Sequence, residues 1–364
     1  MAKPLELYRT AEAVRAGHPD KLCDWIADAL LDRCRRLNPD GKYAFEVMGT
    51  GYHFIVGGEA TGGTDAISTD QIEAIIAGRL ISLGYPARGI VVENLIQPQS
   101  EEIRGKVDAE KENAGAGDMG IVYGYAEAGS YSLLPPCYAL ATRFMHDIDL
   151  KAEGWGIGVN ADGKCMVSTF GGSLAEVQMA LQADAEADPE EIRGKVIEEI
   201  IAPACEEMGY SYEKYRFDLD CKGFTLGGTW ADTGLTGRKI QNDAYGTCAS
   251  NGGGAFSGKD MTKVDRSGAY YNRWLAKKLI EEVPGLERAQ VCSTWVLGSP
   301  TPLSVTVDQY GAKEKSEEIS RVVAKYSMDL PHIIDRFTPV SFADFANYGA
   351  FTPWHDQKAP WEEA

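Results

Sequence analysis

Strand-like and helix-like stretches alternate along this chain, and that alternation constrains its fold more than any other feature. Residues 21–36, KLCDWIADALLDRCRR, place Trp25, Ile26, Leu30 and Cys34 on one side at helical spacing, with arginines gathered at the C-terminal end. Residues 43–60 are rich in Val, Phe, Tyr and Ile and read as two strands joined by a turn. A helix is expected at 70–84 and a strand at 89–95, then helices at 134–147, 189–208, 267–283 and 314–326 with strand-like runs between them. The pattern divides the chain into three segments of about 110 residues, each holding two helices and several strands. That predicts an α+β fold of three units, each covering one face of a sheet with its helices. The three segments show no visible sequence identity. The heptapeptide EEIRGKV occurs at 101–107 and again at 190–196, but the second copy sits within a helical pattern and the match is coincidence.

Composition supports a core and narrows the function. The 364 residues are 44% hydrophobic and 25% charged, as in ordinary globular proteins. A net charge of −18 repels phosphate backbones, which argues against a nucleic-acid partner. Any site for phosphate must therefore create positive potential locally. None of the eight cysteines forms a Cys-x-x-Cys pair, so a zinc site is not expected, and a chain of this size does not need disulfides. The first residues, Met-Ala-Lys-Pro-Leu-Glu, carry no apolar run long enough for a signal peptide, and no stretch approaches 18 apolar residues. A cytoplasmic location without a membrane partner is the simplest expectation.

Chemistry concentrates in 227–266. Between Thr236 and Arg266 the cations Arg238, Lys239, Lys259, Lys263 and Arg266 outnumber the acids Asp243, Asp260 and Asp265, a positive island in an acidic chain. Gly252-Gly253-Gly254 precedes Ser257-Gly258-Lys259, so bare backbone amides and a lysine can approach an anion together. The competing reading is a glycine-rich turn followed by an ordinary charged helix. Gly253, Gly258 and Lys259 nearly spell a Walker A loop, but Asp260 stands where Ser or Thr should be and no apolar strand leads in. Near the N-terminus, His18-Pro19-Asp20 opens a helix, where an anion is favoured. There His18 can donate to a phosphate ester oxygen and Asp20 can hold magnesium. Asp24, Asp28 and Asp32 follow at four-residue intervals and read as a solvated face. The polar stretch 97–117 has the composition of a lid or binding loop; it ends in Gly115-Ala116-Gly117-Asp118.

Together these segments resemble the methionine adenosyltransferases, or S-adenosylmethionine synthetases. GHPDKLCDWIADALLD at 17–32, VGGEATG at 56–62, GAGDMGIVYGYA at 115–126, DTGLTGRKIQNDAYG at 232–246 and GGGAFSGKDMTKVDRS at 252–267 carry the resemblance, in the family's order. It implies three similar α+β domains about a pseudo-threefold axis, spanning 4–100, 118–229 and 230–358, with a mobile active-site loop at 101–117. It also implies a homodimer or tetramer with sites between subunits, and the substrates ATP and L-methionine. By position, His18, Lys164, Arg238 and Lys259 would be catalytic. His18, Asp118, Asp162, Lys164, Phe224, Asp232, Arg238, Lys239, Ala255 and Lys259 would contact ATP. Glu59, Gln99, Asp118, Asp232 and Lys263 would contact methionine. Asp20 and Asp265 would hold two magnesium ions per site and Glu46 a potassium ion. The implied reaction is displacement at C5′ followed by hydrolysis of triphosphate to phosphate and diphosphate.

Four positions depart from the family pattern: Ala16 in place of Glu, Met119 in place of Gln, Gly223 in place of Arg, and Thr229 in place of Pro. Two other functions compete. A generic ATP nucleotidase or phosphotransferase built on 253–259 would release phosphate without methionine. A non-catalytic nucleotide-binding regulatory subunit would be favoured by loss of His18, Lys259 or Asp265, and all three are present.

Overall fold

The computed structural model describes residues 8–61, 67–99, 115–212, 216–220 and 224–363. Most of the loop expected at 101–117 and the Gly223 position lie outside these residues. Helices and strands alternate as anticipated. β1 (Arg9–Val14) leads into α1 (Pro19–Leu37), and β2 (Tyr43–Thr50) pairs antiparallel with β3 (His53–Ala60). α2 (Thr69–Ser82) crosses to β4 (Val91–Pro98), which runs parallel to β3. α2 begins in a reciprocal cap in which Ser68 and Gln71 bond each other's backbone N–H. β5 (Gly120–Glu127), α3 (Pro136–Trp155), β6 (Val159–Phe170) and β7 (Ser173–Ala183) follow.

The helix expected at 189–208 is present but not uniform. α4 (Pro189–Lys195) passes through a π-helical turn, Val196–Ile201, into α5 (Ala202–Met208). Pro203 explains the irregularity, because it has no N–H to give the carbonyl four residues back. That carbonyl, of Glu199, accepts instead from Lys151 Nζ at 2.7 Å. The remaining elements are β8 (Arg216–Asp220), β9 (Gly234–Leu235), α6 (Val264–Glu282), β10 (Arg288–Trp295), β11 (Ser304–Asp308), α7 (Ser316–Lys325) and α8 (Leu330–Phe337).

Three sheets result, and each borrows a strand from a distant part of the chain. Their orders are β1-β6-β7-β8, β11-β10-β5 and β4-β3-β2-β9. α1 packs on β2 and β9, α3 on β1 and β6, and α6 on β5 and β10. Strand residues alternate accordingly. Phe45, Val47, Phe54 and Val56 are buried beneath helices, while Glu46, Met48 and Leu95 face outward. Apolar side chains therefore stand exposed on the uncovered faces of all three sheets: Met48, Val91 and Leu95 on one, Ile121 on another, Met166 and Phe170 on the third. Glu46, Glu59 and Lys164 occupy the same outward register as these apolar residues.

Candidate active site

The N-terminus of α1 organises the first cluster. Pro19 takes the first helical position and His18 caps the helix, its Nδ1 accepting from the Asp20 N–H at 3.1 Å. With Nδ1 used as an acceptor, the neutral ring carries its proton on Nε2 and presents a donor. Burial, reinforced by Lys239, lowers the pKa of His18 from 6.5 to about 4, so the ring is neutral at physiological pH. Asp20 Oδ1 accepts from the Leu235 N–H at 2.9 Å, and its Oδ2 lies 2.5 Å from Lys239 Nζ. Arg238 Nε is 3.7 Å from the same carboxylate. Burial opposes charge on Asp20, but the Lys239 and Leu235 bonds outweigh it and lower its pKa.

The second cluster forms where the glycine-rich loop meets α6. Lys259 Nζ lies 2.6 Å from Asp265 Oδ2. Gly254 lets the loop close over this pair, since a Cβ there would sit 2.3 Å from the Asp265 carboxyl group. Gly258, at φ +80° with its Cα against the Phe45 carbonyl, supports the isolated bridge between Lys259 and Ala44. Glu46 is two residues along the same strand; burial raises its pKa and Lys259 opposes the rise. A third cluster joins Lys263 Nζ to Glu59 at 3.1 Å, with Gln99 Nε2 at 3.4 Å from the same oxygen. The Gly117 N–H donates to the Thr262 carbonyl at 3.0 Å, which seats the Asp118 segment beside Lys263.

Lys164 pairs with Glu12, a residue the sequence did not single out. Glu12 also accepts from Asn242 Nδ2 at 2.8 Å. Burial opposes its charge, but Lys164 outweighs burial and lowers its pKa. The clue in the sequence was weak: Glu12 lies between two buried alanines on β1, opposite Met166 in the register. Asp162 is buried and holds the 227–232 loop, its two oxygens accepting from the Gly228 N–H at 2.9 Å and the Gly163 N–H at 2.7 Å. Burial pushes its pKa up to about 6 despite those bonds. The Phe224 carbonyl accepts from the Ala183 N–H at 3.1 Å, and Ala255 is half-buried. Asp118 and Asp232 are exposed, and among the described residues each accepts from the next backbone N–H.

Several charges expected at the surface or in the site do other work. Asp24, Asp28 and Asp32 are not solvated but buried, at 1%, 0% and 5% exposure. Each pins a segment of the distant C-terminal region. Asp24 accepts from the Gly237 N–H at 2.8 Å, Asp28 from the Gly258 N–H at 2.8 Å, and Asp32 from the Phe342 N–H at 2.9 Å. Arg266 turns inward to Asp28, and Asp243 to Lys21. Asp260 holds the Tyr43 N–H at 2.6 Å and the Thr262 N–H at 2.7 Å, so it has no magnesium-ligating role of the Walker type. Of the three acids in the positive island, Asp265 alone faces the lysines of the site. Among the departures, Thr229 is buried and donates to the Gly51 carbonyl, Ala16 is buried, and Met119 is exposed.

The chain matches three family models end to end: S-adenosylmethionine synthetase N-terminal domain over residues 6–101, central domain over 113–223 and C-terminal domain over 226–363. It is 34% identical over 377 residues to the S-adenosylmethionine synthase of Mycoplasmopsis pulmonis, covering 97% of this chain and 95% of that protein. It is 35% identical over 381 residues to the S-adenosylmethionine synthase of Mycoplasma pneumoniae, covering 100% and 96%. The chain belongs to the S-adenosylmethionine synthetase family. Membership implies a metal-dependent enzyme that takes ATP and methionine as substrates. The donor set agrees with metal dependence. Among the described residues no three His, Cys, Asp or Glu side chains gather into a metal cage. Asp20 and Asp265 instead stand singly beside lysines, as suits magnesium held by one or two carboxylates and completed by substrate phosphates. No helix among the described residues is long and apolar enough to cross a membrane.

Proposed function

We propose that these clusters synthesise S-adenosylmethionine by direct attack of the methionine sulfur on C5′ of ATP, with triphosphate as the leaving group. A thioether is nucleophilic without losing a proton, so the reaction requires no general base. Alignment of sulfur with C5′ supplies roughly 7–11 kcal/mol, and each well-aimed donor to the leaving group about 3–4 kcal/mol. His18, neutral with its proton on Nε2, donates to the ester oxygen that leaves C5′. Arg238, Lys239, Lys259 and Lys164 receive the triphosphate, and Glu59, Gln99 and Lys263 hold the methionine ammonium and carboxylate. Triphosphate is then hydrolysed to phosphate and diphosphate in the same pocket.

One observation carries this reading. The two acids proposed for magnesium, Asp20 and Asp265, are each ion-paired to a lysine proposed for phosphate, at 2.5 and 2.6 Å. The ammonium groups of Lys239 and Lys259 stand where cations would sit. Asp20 and Asp265 would hold magnesium, which would supply charge neutralisation for the triphosphate, and the two lysines would then be free to bind phosphate. Glu46 is the proposed potassium ligand. A second copy of the chain would cover the outward sheet faces, and the register that exposed apolar side chains share with Glu46, Glu59 and Lys164 supports sites between subunits.

The test is incubation of the protein with ATP, methionine, magnesium and potassium, with detection of S-adenosylmethionine by mass spectrometry. Product that requires methionine and is lost in Lys259→Met supports the reading. Phosphate release independent of methionine would refute it.

A further inference from the structure

Cys137 and Cys248 are 111 residues apart in sequence, yet their sulfurs lie 3.6 Å from each other. Cys137 is in the first turn of α3 and fully buried. Cys248 closes a short 3-10 turn, Gly246–Cys248, and is partly buried. Its sulfur accepts from Arg9 Nε at 3.1 Å, and Arg9 is held by Glu127 through both guanidinium nitrogens. The turn is fixed on both sides: the Thr10 N–H donates to Thr247 Oγ1 at 2.9 Å, and Tyr310 Oη donates to the Cys248 carbonyl at 3.2 Å. Four residues beyond Cys248 the chain enters Gly252-Gly253-Gly254, which leads to Lys259.

We propose that Cys137 and Cys248 are an oxidation site at which a hydroperoxide forms an intramolecular disulfide, tying the N-terminus of α3 to the loop that carries the site's glycines. The Cys248 thiolate attacks one oxygen of hydrogen peroxide, the O–O bond breaks, and Cys248 becomes a sulfenic acid while the other oxygen leaves as hydroxide and takes a proton to become water. The Cys137 sulfur then attacks the Cys248 sulfur and gives up its proton; the S–O bond breaks, the S–S bond forms and the hydroxyl leaves with that proton as a second water. Two thiols thus give two protons and two electrons to one hydrogen peroxide.

The two sulfurs divide the roles by environment. The Cys137 S–H bond lowers the pKa of Cys248, and Arg9 adds to the effect against burial. The bond it gives to Cys248, together with burial, raises Cys137 well above the usual thiol value. Cys248 is therefore the attacking group and Cys137 the resolving one. The other buried thiols among the described residues are disfavoured: burial pushes Cys34, Cys165 and Cys205 up to about 12 and raises Cys23 well above the usual value.

The experiment treats the full-length reduced protein with equimolar hydrogen peroxide and measures its intact mass, with non-reducing peptide mapping. The expected result is loss of two hydrogen atoms per chain, a cross-link between the Cys137 and Cys248 peptides, and reversal by dithiothreitol. In Cys137→Ser the loss disappears and Cys248 is captured by dimedone as the sulfenic acid, while S-adenosylmethionine synthesis by the reduced variant is unchanged. Cys165→Ser behaves as the parent protein does. A cross-link that maps to other cysteines, or oxidation of Cys248 to the sulfinic acid without loss of hydrogen in the parent protein, overturns the proposal.

Discussion

Replacing Asp28 with Ala should destabilise the protein more than almost any other single change, although the sequence alone placed that residue at the surface. Asp28 is 0% exposed and accepts three bonds: Arg266 Nη1 at 2.9 Å, Arg266 Nη2 at 2.6 Å and the Gly258 N–H at 2.8 Å. Removing it strands a guanidinium that is itself 1% exposed, leaving Nη1 only the Lys259 carbonyl at 2.9 Å. Breaking a buried ion pair from one side costs about 3–5 kcal/mol. Leaving the Gly258 N–H unpaired contributes about 1–3 kcal/mol more, not fully additive. A loss of about 4–6 kcal/mol is a large share of a typical folding stability of about 5–15 kcal/mol. Urea titration followed by tryptophan fluorescence should show it as a midpoint lowered by about 1 M or more, at a slope of about 3 kcal/mol/M. The double variant Asp28→Leu with Arg266→Met removes both charges, and replacement of a buried pair by apolar groups is often neutral. It should recover most of the loss. An Asp28→Ala cost below about 1 kcal/mol, or a double variant weaker than the single one, would refute the argument that this pair is desolvated and mutually dependent.

Lys259→Met should lower kcat by about 10²–10³-fold, the range for loss of one preorganised charge-stabilising donor, as read in a steady-state assay of S-adenosylmethionine formation. Asp20→Asn frees Lys239 and Arg238, so calorimetry should show metal-free ATP binding more tightly than in the parent protein and magnesium–ATP binding more weakly. Parallel weakening of both would show that the lysine–aspartate exchange is absent. The His18 pKa of about 4 lies below its unfolded value of 6.5, so the unfolded chain takes up a proton in that interval that the folded chain refuses. Stability should fall as pH drops from 6.5 to about 4, and His18→Asn should flatten the pH dependence of the thermal midpoint in that window.

Periodicity made the elements legible in the sequence. The amphipathic stripe of α1, the strand pair at 43–60 and the glycine-bounded helices carry local signals, and the observed ends differ from the expected ones mainly at termini, where caps decide. What escaped the sequence was pairing over distance. β1 joins β6, with Val14 opposite Lys164, and nothing in either strand names the other. The π-turn at Val196–Ile201 follows from Pro203, a signal that was present but hidden by the apolar periodicity on either side.

The aspartates of α1 show most clearly why the site was only half readable. Four acids at intervals of four define a stripe, and a stripe of charge on a helix is ordinarily solvated because burying it unpaired is prohibitive. Here the partners come from 213 or more residues later: Lys239 for Asp20, the Gly237 N–H for Asp24, Arg266 and the Gly258 N–H for Asp28, the Phe342 N–H for Asp32. Each partner lies beside a site residue or in the segment that closes over α1. The same ladder that fixes the fold therefore sets the spacing between Arg238-Lys239 and Lys259, the two cationic edges of the proposed phosphate site. Asp20, at the N-terminal end of the ladder, is the acid proposed to exchange its lysine for a metal. The three below it are held by backbone N–H groups, and Asp28 also by the buried Arg266. Under the proposed function, position along one helix separates the acid that would exchange its partner from the acids that hold the fold in place, and identical residue type at identical spacing cannot reveal that difference.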